Sequence, residues 1–398
     1  MKPDWDIVAA IEAQLDPSVR ERIAQAADRI VEARQRGGRI VVVTGSGPNL
    51  HEGVTTLIAE LMRAGIVHGV ATSSAVVAHE MGGALDKVKR CDGAALGVPA
   101  HLLPLSGEFE LTEMDDAVLR EIAADIQVDS ALIERLKRAP GKTIIKAAGN
   151  LGYPVGLWLE RIARDVLELA RQRGASFEEV AGRGADLRTM IGIGARAGLP
   201  VLVTIPQLVG GGAVGLCIGD SLSISARAER LARMLDSADV IVESGLALAQ
   251  EVHDGPFECY TGHGLWAGWQ GEFTYRLEGK TLVRIDLDPA LDAVWRAQRE
   301  GGAVQQAIAD GQPKTKLFKV PFRMEMSGFA RHPRSIPIVA DLGAVWPVLA
   351  RRVAERLGVE LQFVSYPQQT PEGQAMREWI ARDIRPFSRK ELPLPASC

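Results

Sequence analysis

The sequence has little of several features that mark particular classes of protein. Its four cysteines, in 398 residues, have no paired spacing, which argues against a disulfide framework and against a zinc site. The longest apolar runs, such as residues 240–242 and 246–249, are far too short to span a bilayer. The polar and acidic start, residues 1–6, is unlike a signal peptide. We therefore expect a cytoplasmic protein with no metal and no membrane partner.

Charge and motif content exclude further classes. A formal net charge of −4 leaves no basic footprint, so we expect no nucleic-acid partner. The sequence has neither the Gly-x-Ser-x-Gly elbow of a serine hydrolase nor the Walker motif of a P-loop ATPase. The hydrophobic fraction of 46% and charged fraction of 24% are ordinary for a globular chain, which is long enough for one large domain or two.

The stretch at residues 39–53 organises the rest of the chain. A run of β-branched residues ends at Gly45-x-Gly47, and a helical pattern follows from about Val54. This order of strand, tight turn and helix brings backbone N–H groups up to a phosphate in α/β proteins. Leu50 stands where a dinucleotide motif has its third glycine, so the fingerprint is incomplete.

A second turn of the same kind strengthens this interpretation. The strand that ends at Ala71 runs into Thr72, Ser73 and Ser74, which we expect to face the same crevice. No Asp or Glu ends that strand to bind a ribose hydroxyl, as in a standard dehydrogenase. The two turns therefore predict a nucleotide site, but not an ordinary dehydrogenase.

Strand and helix patterns alternate along the chain, which predicts an α/β fold with a parallel sheet and helices on both faces. We also predict a helix over residues 76–89 and an irregular segment over residues 91–115. After the first strand, further strands are predicted at residues 66–71, 199–204, 238–242, 281–286 and 336–341.

Small, hydroxylated and acidic residues follow these strands, at the edge where ligands bind in parallel sheets. Such residues suit phosphates, ribose hydroxyls and a cationic amine. The alternative is that they only cap helices and form turns. The candidate cofactor residues at this edge are Gly45, Ser46, Gly47, Asn49, Thr72, Ser73, Ser74, Glu243, Ser244, Gly245, Asp286 and Asp288, and Asp341 is a catalytic candidate.

Histidines supply the candidates for proton transfer. His79 and Glu80, near the start of a predicted helix, are candidate cofactor contacts, with a surface pair as the alternative. His253, close to Glu251 in the sequence, is a candidate catalytic base with that glutamate, and His263 is the alternative base. No pair of histidines in this region has the spacing of a helical metal site.

Several of these stretches together resemble the deoxyhypusine synthase superfamily, nearer its ornithine cyclodeaminase-type (LOR/SDH) branch. They are residues 43–52, 65–80, 199–204, 281–289 and 336–349. The resemblance implies a Rossmann-like fold, NAD bound across the strand ends and a homo-oligomer, usually a tetramer. It also implies transient oxidation of a small amine or amino acid to an imine, with Glu243 or Asp341 holding the amine.

The sequence departs from deoxyhypusine synthase at two places. The expected lysine is missing from residues 327–331, and residues 210–212 are glycines where an aspartate is expected. These departures argue against covalent aminobutyl transfer to a protein. A non-redox lyase or hydrolase using Glu251, His253 and Cys259 is the alternative function, and a nucleotide-binding regulator is the third.

The resemblance also divides the chain. We expect an N-terminal helical segment over residues 1–37 and a Rossmann-like NAD-binding catalytic domain over residues 38–360. That domain should carry insertions near residues 91–135 and 255–280. A C-terminal tail over residues 361–398 completes the division.

Overall fold

The computed structural model describes residues 1–45, 47–149, 152–208, 210–245, 277–300, 303–313, 329 and 332–392. Nine strands lie in these ranges. They are β1 (Ile40–Thr44), β2 (Gly69–Thr72), β3 (Leu85–Asp92), β4 (Glu108–Thr112), β5 (Gly141–Ala147), β6 (Val201–Val203), β7 (Val240–Ser244), β8 (Thr281–Asp286) and β9 (Ser335–Val339).

Six of the strands form one sheet in the order β6-β2-β1-β7-β8-β9, and every neighbouring pair is parallel. From β1, the strands β2 and β6 extend the sheet in one direction, and β7, β8 and β9 extend it in the other. This is the 3-2-1-4-5-6 order of doubly wound dinucleotide-binding sheets. The predicted parallel sheet is confirmed.

Helices cover both faces of this sheet. Because side chains alternate along a strand, Ile40 and Val42 belong to one core cluster, whereas Val41 and Val43 belong to another. The sixteen helices of the described ranges are α1 (Trp5–Gln14), α2 (Pro17–Gln35), α3 (Gly47–His51), α4 (Val54–Arg63), α5 (Ser74–Met81), α6 (Asp116–Asp125), α7 (Ser130–Arg138), α8 (Val155–Arg173), α9 (Phe177–Gly184), α10 (Met190–Ala197), α11 (Gly212–Ser221), α12 (Ile224–Asp236), α13 (Ala290–Arg299), α14 (Ala303–Ala309), α15 (Leu342–Leu357) and α16 (Pro371–Asp383).

The two helical layers differ in size. The larger cluster contains side chains of α2, α4 and α15, and the smaller contains Leu231 of α12 and Leu291 of α13. The chain therefore has the predicted α/β, Rossmann-like architecture. No helix of the described residues is long and apolar enough to cross a membrane.

A second sheet of three antiparallel strands, ordered β4-β3-β5, is inserted between β2 and β6. The prediction of a helix over residues 76–89 is wrong in its second half. The helix α5 ends at Met81, and Gly83 and Ala84 then adopt φ of 102° and 66°. These left-handed residues break the helix and turn the chain into β3. The strand β4 likewise lies within the segment predicted to be irregular.

Both ends of the described chain pack on the central sheet's larger core. Val8 and Ile23 of the first two helices belong to that cluster, as do Met376 and Ile380 of α16. The division into a helical segment, a catalytic domain and a tail remains a prediction.

A buried ion pair completes the edge of the sheet at β6. The Val203 amide donates to Glu178 Oε1 at 2.8 Å, and Arg227 Nη1 donates to the Val203 carbonyl at 3.2 Å. Arg227 and Glu178 are themselves paired at 2.5 Å, and neither side chain is exposed. The pair thus occupies hydrogen-bonding groups that an edge strand otherwise leaves open.

Loss of the Arg227 guanidinium would leave the Glu178 carboxylate buried without its cation. We expect Arg227→Met to lower the free energy of unfolding by about 3–5 kcal/mol, measured by urea denaturation. Arg29→Met is the matched control, because it breaks an exposed pair with Glu32 on α2 and should cost less than about 1 kcal/mol. Equal losses in the two variants would contradict the structural role of Arg227.

Candidate functional site

The site is best located from the strand order, which reverses between β1 and β7. The two strands are paired in parallel from Ile40↔Val240 to Thr44↔Ser244. The sheet extends from β1 toward β6 on one side and from β7 toward β9 on the other. In open α/β sheets this divergence opens a crevice beyond the carboxyl ends of the strands. The predicted Gly45–Gly47 turn and the Glu243–Gly245 segment flank that crevice.

Glycines keep the backbone accessible on both sides of the crevice. A Cβ added at Gly47 would meet no heavy atom within 4 Å among the described residues. Gly245 has φ of 98°, a conformation that other residues rarely adopt. Ser46, between the two glycines of the first turn, lies outside the described residues.

A buried hydrogen-bond network holds the first turn against β7. Asn49 Nδ2 donates to the Gly45 carbonyl at 2.9 Å, and Ser244 Oγ donates to Asn49 Oδ1 at 2.6 Å. Trp346 Nε1 of α15 donates to the same Ser244 oxygen at 3.0 Å. The side chains of Asn49 and Ser244 are thereby occupied with protein groups, so the geometry favours a positioning role for both. Direct cofactor contact by either residue stays a prediction.

The second turn is also held by hydrogen bonds of its own serines. Ser73 Oγ accepts from the Val76 amide at 3.2 Å and caps α5. Ser74 Oγ donates to the Gln207 carbonyl at 2.7 Å and accepts from the Gly211 amide at 3.0 Å. These contacts fasten the glycine loop after β6 to α5. Such contacts agree with the alternative that these serines only cap helices and form turns. Cofactor contact by Ser73 and Ser74 remains a prediction.

Two threonine hydroxyls at the same edge differ from these serines, because they make no hydrogen bond within the described residues. The β1–β2 register, Val42↔Val70 and Val43↔Ala71, places Thr44 beside Thr72. Both residues are fully buried, and neither hydroxyl has a hydrogen-bond partner within the described ranges. Because protein covers both side chains, these hydroxyls are not accessible to a ligand in this conformation, and those of Thr112, Thr204 and Thr281 are unpaired in the same way. The strand order and the glycine turn therefore remain the features that indicate a nucleotide site.

Glu80 has a structural contact that the sequence did not reveal. Its two carboxylate oxygens accept from the Met190 and Ile191 amides, at 2.9 and 3.0 Å, at the start of α10. Burial raises the pKa of Glu80 to about 7, although these two hydrogen bonds oppose the rise. The neighbouring His79 is placed by a 2.6 Å contact between Nδ1 and the Ala148 carbonyl, and burial lowers its pKa. Their roles as cofactor contacts remain predictions.

Glu243 already has a cation beside it. Arg284 Nε on β8 donates to Glu243 Oε2 at 2.5 Å, and both side chains are fully buried. A fully buried carboxylate paired with Arg284 is not placed to hold a substrate amine, so this expectation from the resemblance finds no support in the geometry. Arg284 also stacks on the Phe329 ring, 4.7 Å from its centroid.

The aspartates that follow β8 and β9 form turns and caps. Asp286 Oδ1 accepts from the Asp288 amide at 2.9 Å, and Asp288 Oδ1 accepts from the Ala290 amide at 2.9 Å. Asp341 Oδ1 accepts from the Gly343 amide at 3.0 Å and caps α15. Its second oxygen is 3.4 Å from Gln369 Nε2. Asp341 is also close enough to Glu52 for its charge to raise the pKa of that glutamate.

Sequence reasoning missed a group of charged residues at this edge. It contains His51 at the end of α3, Glu52 directly after it, and Arg377 from α16. Arg377 Nη2 is 3.2 Å from His51 Nδ1, and the Arg377 charge acts on Glu52. His51 lies inside the organising stretch, but Arg377 is 326 residues away and had no motif to mark it. The catalytic candidates Glu251 and His253, and Cys259, lie outside the described residues.

None of the protein-family models matches the chain, and no curated protein matches it. Solved structures are similar in part. ArgZ, an arginine dihydrolase from the ornithine–ammonia cycle in cyanobacteria, is 14% identical with a TM-score of 0.40, over 85% of this chain and 32% of that chain. A conserved putative LOR/SDH protein from Methanococcus maripaludis S2 is 13% identical with a TM-score of 0.41, over 84% and 68%.

A third similar structure is the ternary complex of AgrE with ornithine and NAD⁺. It is 13% identical with a TM-score of 0.41, over 87% of this chain and 34% of that chain. The chain thus spans about a third of the length of ArgZ and AgrE. At these identities and TM-scores, the similarities establish neither a family nor an activity. The resemblance to deoxyhypusine synthase stays a prediction.

The raised pKa of Glu80 has a consequence for stability. Between about pH 4.5 and 7 the folded chain keeps a proton that the unfolded chain has lost, so this residue's contribution to stability falls as pH rises. We expect the wild type to lose roughly a few kcal/mol of unfolding free energy relative to Glu80→Gln across this window. Urea denaturation at a series of pH values measures the difference. A constant difference would contradict the shifted pKa.

Proposed function

We propose that this protein is an NAD-dependent enzyme that acts on a small amine or amino acid by transient oxidation to an imine. The observation that carries the proposal is the strand order, which sets an open glycine turn at the point where the sheet order reverses. Ligands bind at such points in doubly wound sheets. Gly245, with φ of 98°, supports a nucleotide at the same edge, because it leaves the backbone after β7 without a side chain.

The cofactor would lie across the ends of β1 and β7, against the backbone of Gly45, Gly47 and Gly245. When bound, NAD would take a hydride from the amine-bearing carbon of the substrate and return it after the imine has reacted. The chain would then supply orientation and electrostatics. Such chemistry includes deamination, cyclisation and aminoalkyl transfer.

Asp341 is the residue we propose to hold the substrate amine. It follows β9 at the carboxyl edge of the sheet, and its charge acts on Glu52, just beyond the glycine turn. Its Oδ2 is 3.4 Å from Gln369 Nε2. A carboxylate here would bind an ammonium group by a charge-assisted hydrogen bond. His253 and Glu251 remain the proposed proton-transfer groups. A homo-oligomer, a cytoplasmic location and the absence of a nucleic-acid partner are also still predictions.

The first experiment is to identify the nucleotide released from freshly purified, heat-denatured protein, by mass spectrometry and absorbance. We expect NAD at about one per chain if the cofactor stays bound through turnover, as transient oxidation requires. If none is released, NAD is added and its binding measured by calorimetry. If the protein releases no NAD and also binds none of the added NAD, the proposal is overturned and the non-redox alternative is favoured.

The open turn allows a direct test of the cofactor position. A side chain at Gly47 would enter the space proposed for NAD without meeting a described atom, so Gly47→Val should abolish NAD binding and leave the melting temperature nearly unchanged. Gly219→Val in α11 is the matched control, because its Cβ also meets nothing within 4 Å. It should bind NAD normally. Normal binding by Gly47→Val would remove this turn from the site.

A further inference from the structure

The charged group at the crevice is assembled from three elements that lie apart in the chain. His51 ends α3, Ile145 and Lys146 belong to β5 of the small sheet, and Arg377 comes from α16. Arg377 Nη2 donates to the Ile145 carbonyl at 2.6 Å and contacts His51 Nδ1 at 3.2 Å. One guanidinium thus joins the glycine-turn region, the small sheet and the C-terminal helix.

The contact with Arg377 determines which nitrogen of His51 carries a proton. A guanidinium can only donate, so His51 Nδ1 accepts, and the neutral ring carries its hydrogen on Nε2. Burial lowers the pKa of His51, and the charges of Arg377, His79 and Lys146 lower it further. His51 is therefore neutral at pH 7 and offers an N–H donor at Nε2.

Arg377 offers a second donor. Its Nε–H is buried and has no hydrogen-bond partner among the residues that the structure describes. Burial lowers the pKa of Arg377, whereas Glu52 raises it. Protein covers this Nε–H, so a ligand would bind the guanidinium through its terminal nitrogens, and an anion there would offset the cost of burying the charge. The available groups of the pair are thus donors.

Acidic residues stand next to these donors. Glu52 accepts from the amide and the side chain of Gln368, at 2.7 Å each. Burial raises the pKa of Glu52; the nearby charge of Asp341 raises it further, and that of Arg377 lowers it. Cationic Arg377, Glu52 and Asp341 therefore lie within electrostatic range of one another. A ligand that carries both signs of charge on one small carbon skeleton would match this arrangement.

We propose that Arg377 and His51 bind the carboxylate of the substrate, so that the substrate is an amino acid rather than a simple amine. This inference rests on the proposed function and makes it more specific. The ammonium group of the same molecule would then face Asp341. Arg377 and His51 would determine specificity without taking part in hydride transfer.

The pyrophosphate of the nucleotide is the other anion available near this turn. Two features favour a carboxylate. Arg377 and Lys146 come from α16 and β5, which lie outside the six-stranded nucleotide-binding sheet. Glu52 and Asp341 would repel the two charges of a pyrophosphate, whereas they complement the ammonium group of an amino acid.

The test compares ligands with and without a carboxylate on the full chain. Calorimetry in the presence of NAD measures binding of the proteinogenic amino acids and L-ornithine, and then of the amine that lacks the carboxylate of the tightest binder. We expect Arg377→Met to lower the affinity for the amino acid by about 30-fold or more. Binding of NAD and of the amine should change by less than about twofold.

Two further variants separate recognition from folding. Arg377→Lys keeps the charge but not the planar fork, so it should recover only part of the lost affinity. Arg382→Met is the matched control on the same helix, because Arg382 is exposed and pairs with its neighbour Asp383. It should bind every ligand as the wild type does.

Each other result has a defined meaning. Wild-type affinity of Arg377→Met for the amino acid, or wild-type binding of amines but of no amino acid at millimolar concentration, would overturn the carboxylate assignment. Loss of NAD affinity in Arg377→Met would identify the pyrophosphate as the occupant and also overturn it, while leaving the proposed function intact. If the wild type binds no NAD, the proposed function fails, and the amino-acid comparison without NAD still tests Arg377.

Discussion

The parallel pairing of β1 with strands on both sides is the constraint on which the rest of this structure depends. Every residue from Ile40 to Thr44 is buried, because β1 has a strand on each side and helices over both faces. The sheet extends from β1 through β2 to β6 on one side and from β7 to β9 on the other, and this reversal of strand order opens the crevice at the glycine turn. The network of Asn49, Ser244 and Trp346 then holds the turn against β7.

Buried charge explains most of the difference between the residues expected at the site and the contacts observed there. Glu80 caps α10 with both oxygens, and Glu243 pairs with Arg284 inside the sheet. A buried carboxylate is stable only with donors or a cation around it, so its partners decide its role. Those partners lie on strands and helices elsewhere in the chain. An acidic residue after a predicted strand is thus an equally good candidate for a cap and for a ligand.

In the proposed function, the six-stranded sheet binds the cofactor, and the small sheet and α16 contribute to binding the substrate. The six-stranded sheet supplies the glycine turn, against which we propose that the nucleotide lies. The small sheet and α16 supply Lys146 and Arg377, which meet His51 at the same edge. In this proposal, the groups that bind the cofactor and those that bind the substrate would therefore come from different elements.

The sequence by itself determined the α/β class and the position of the glycine turn at residues 45–47, because strand and helix periodicity and turn chemistry are local. The prediction from sequence did not end the helix α5 at Met81, because the helical pattern continues past the left-handed turn at Gly83 and Ala84. Only the tertiary structure decided the strand order, the partners of Glu80 and Glu243, and the meeting of His51 with Arg377. Those contacts join residues up to hundreds of positions apart, and they depend on how whole helices pack on the sheet.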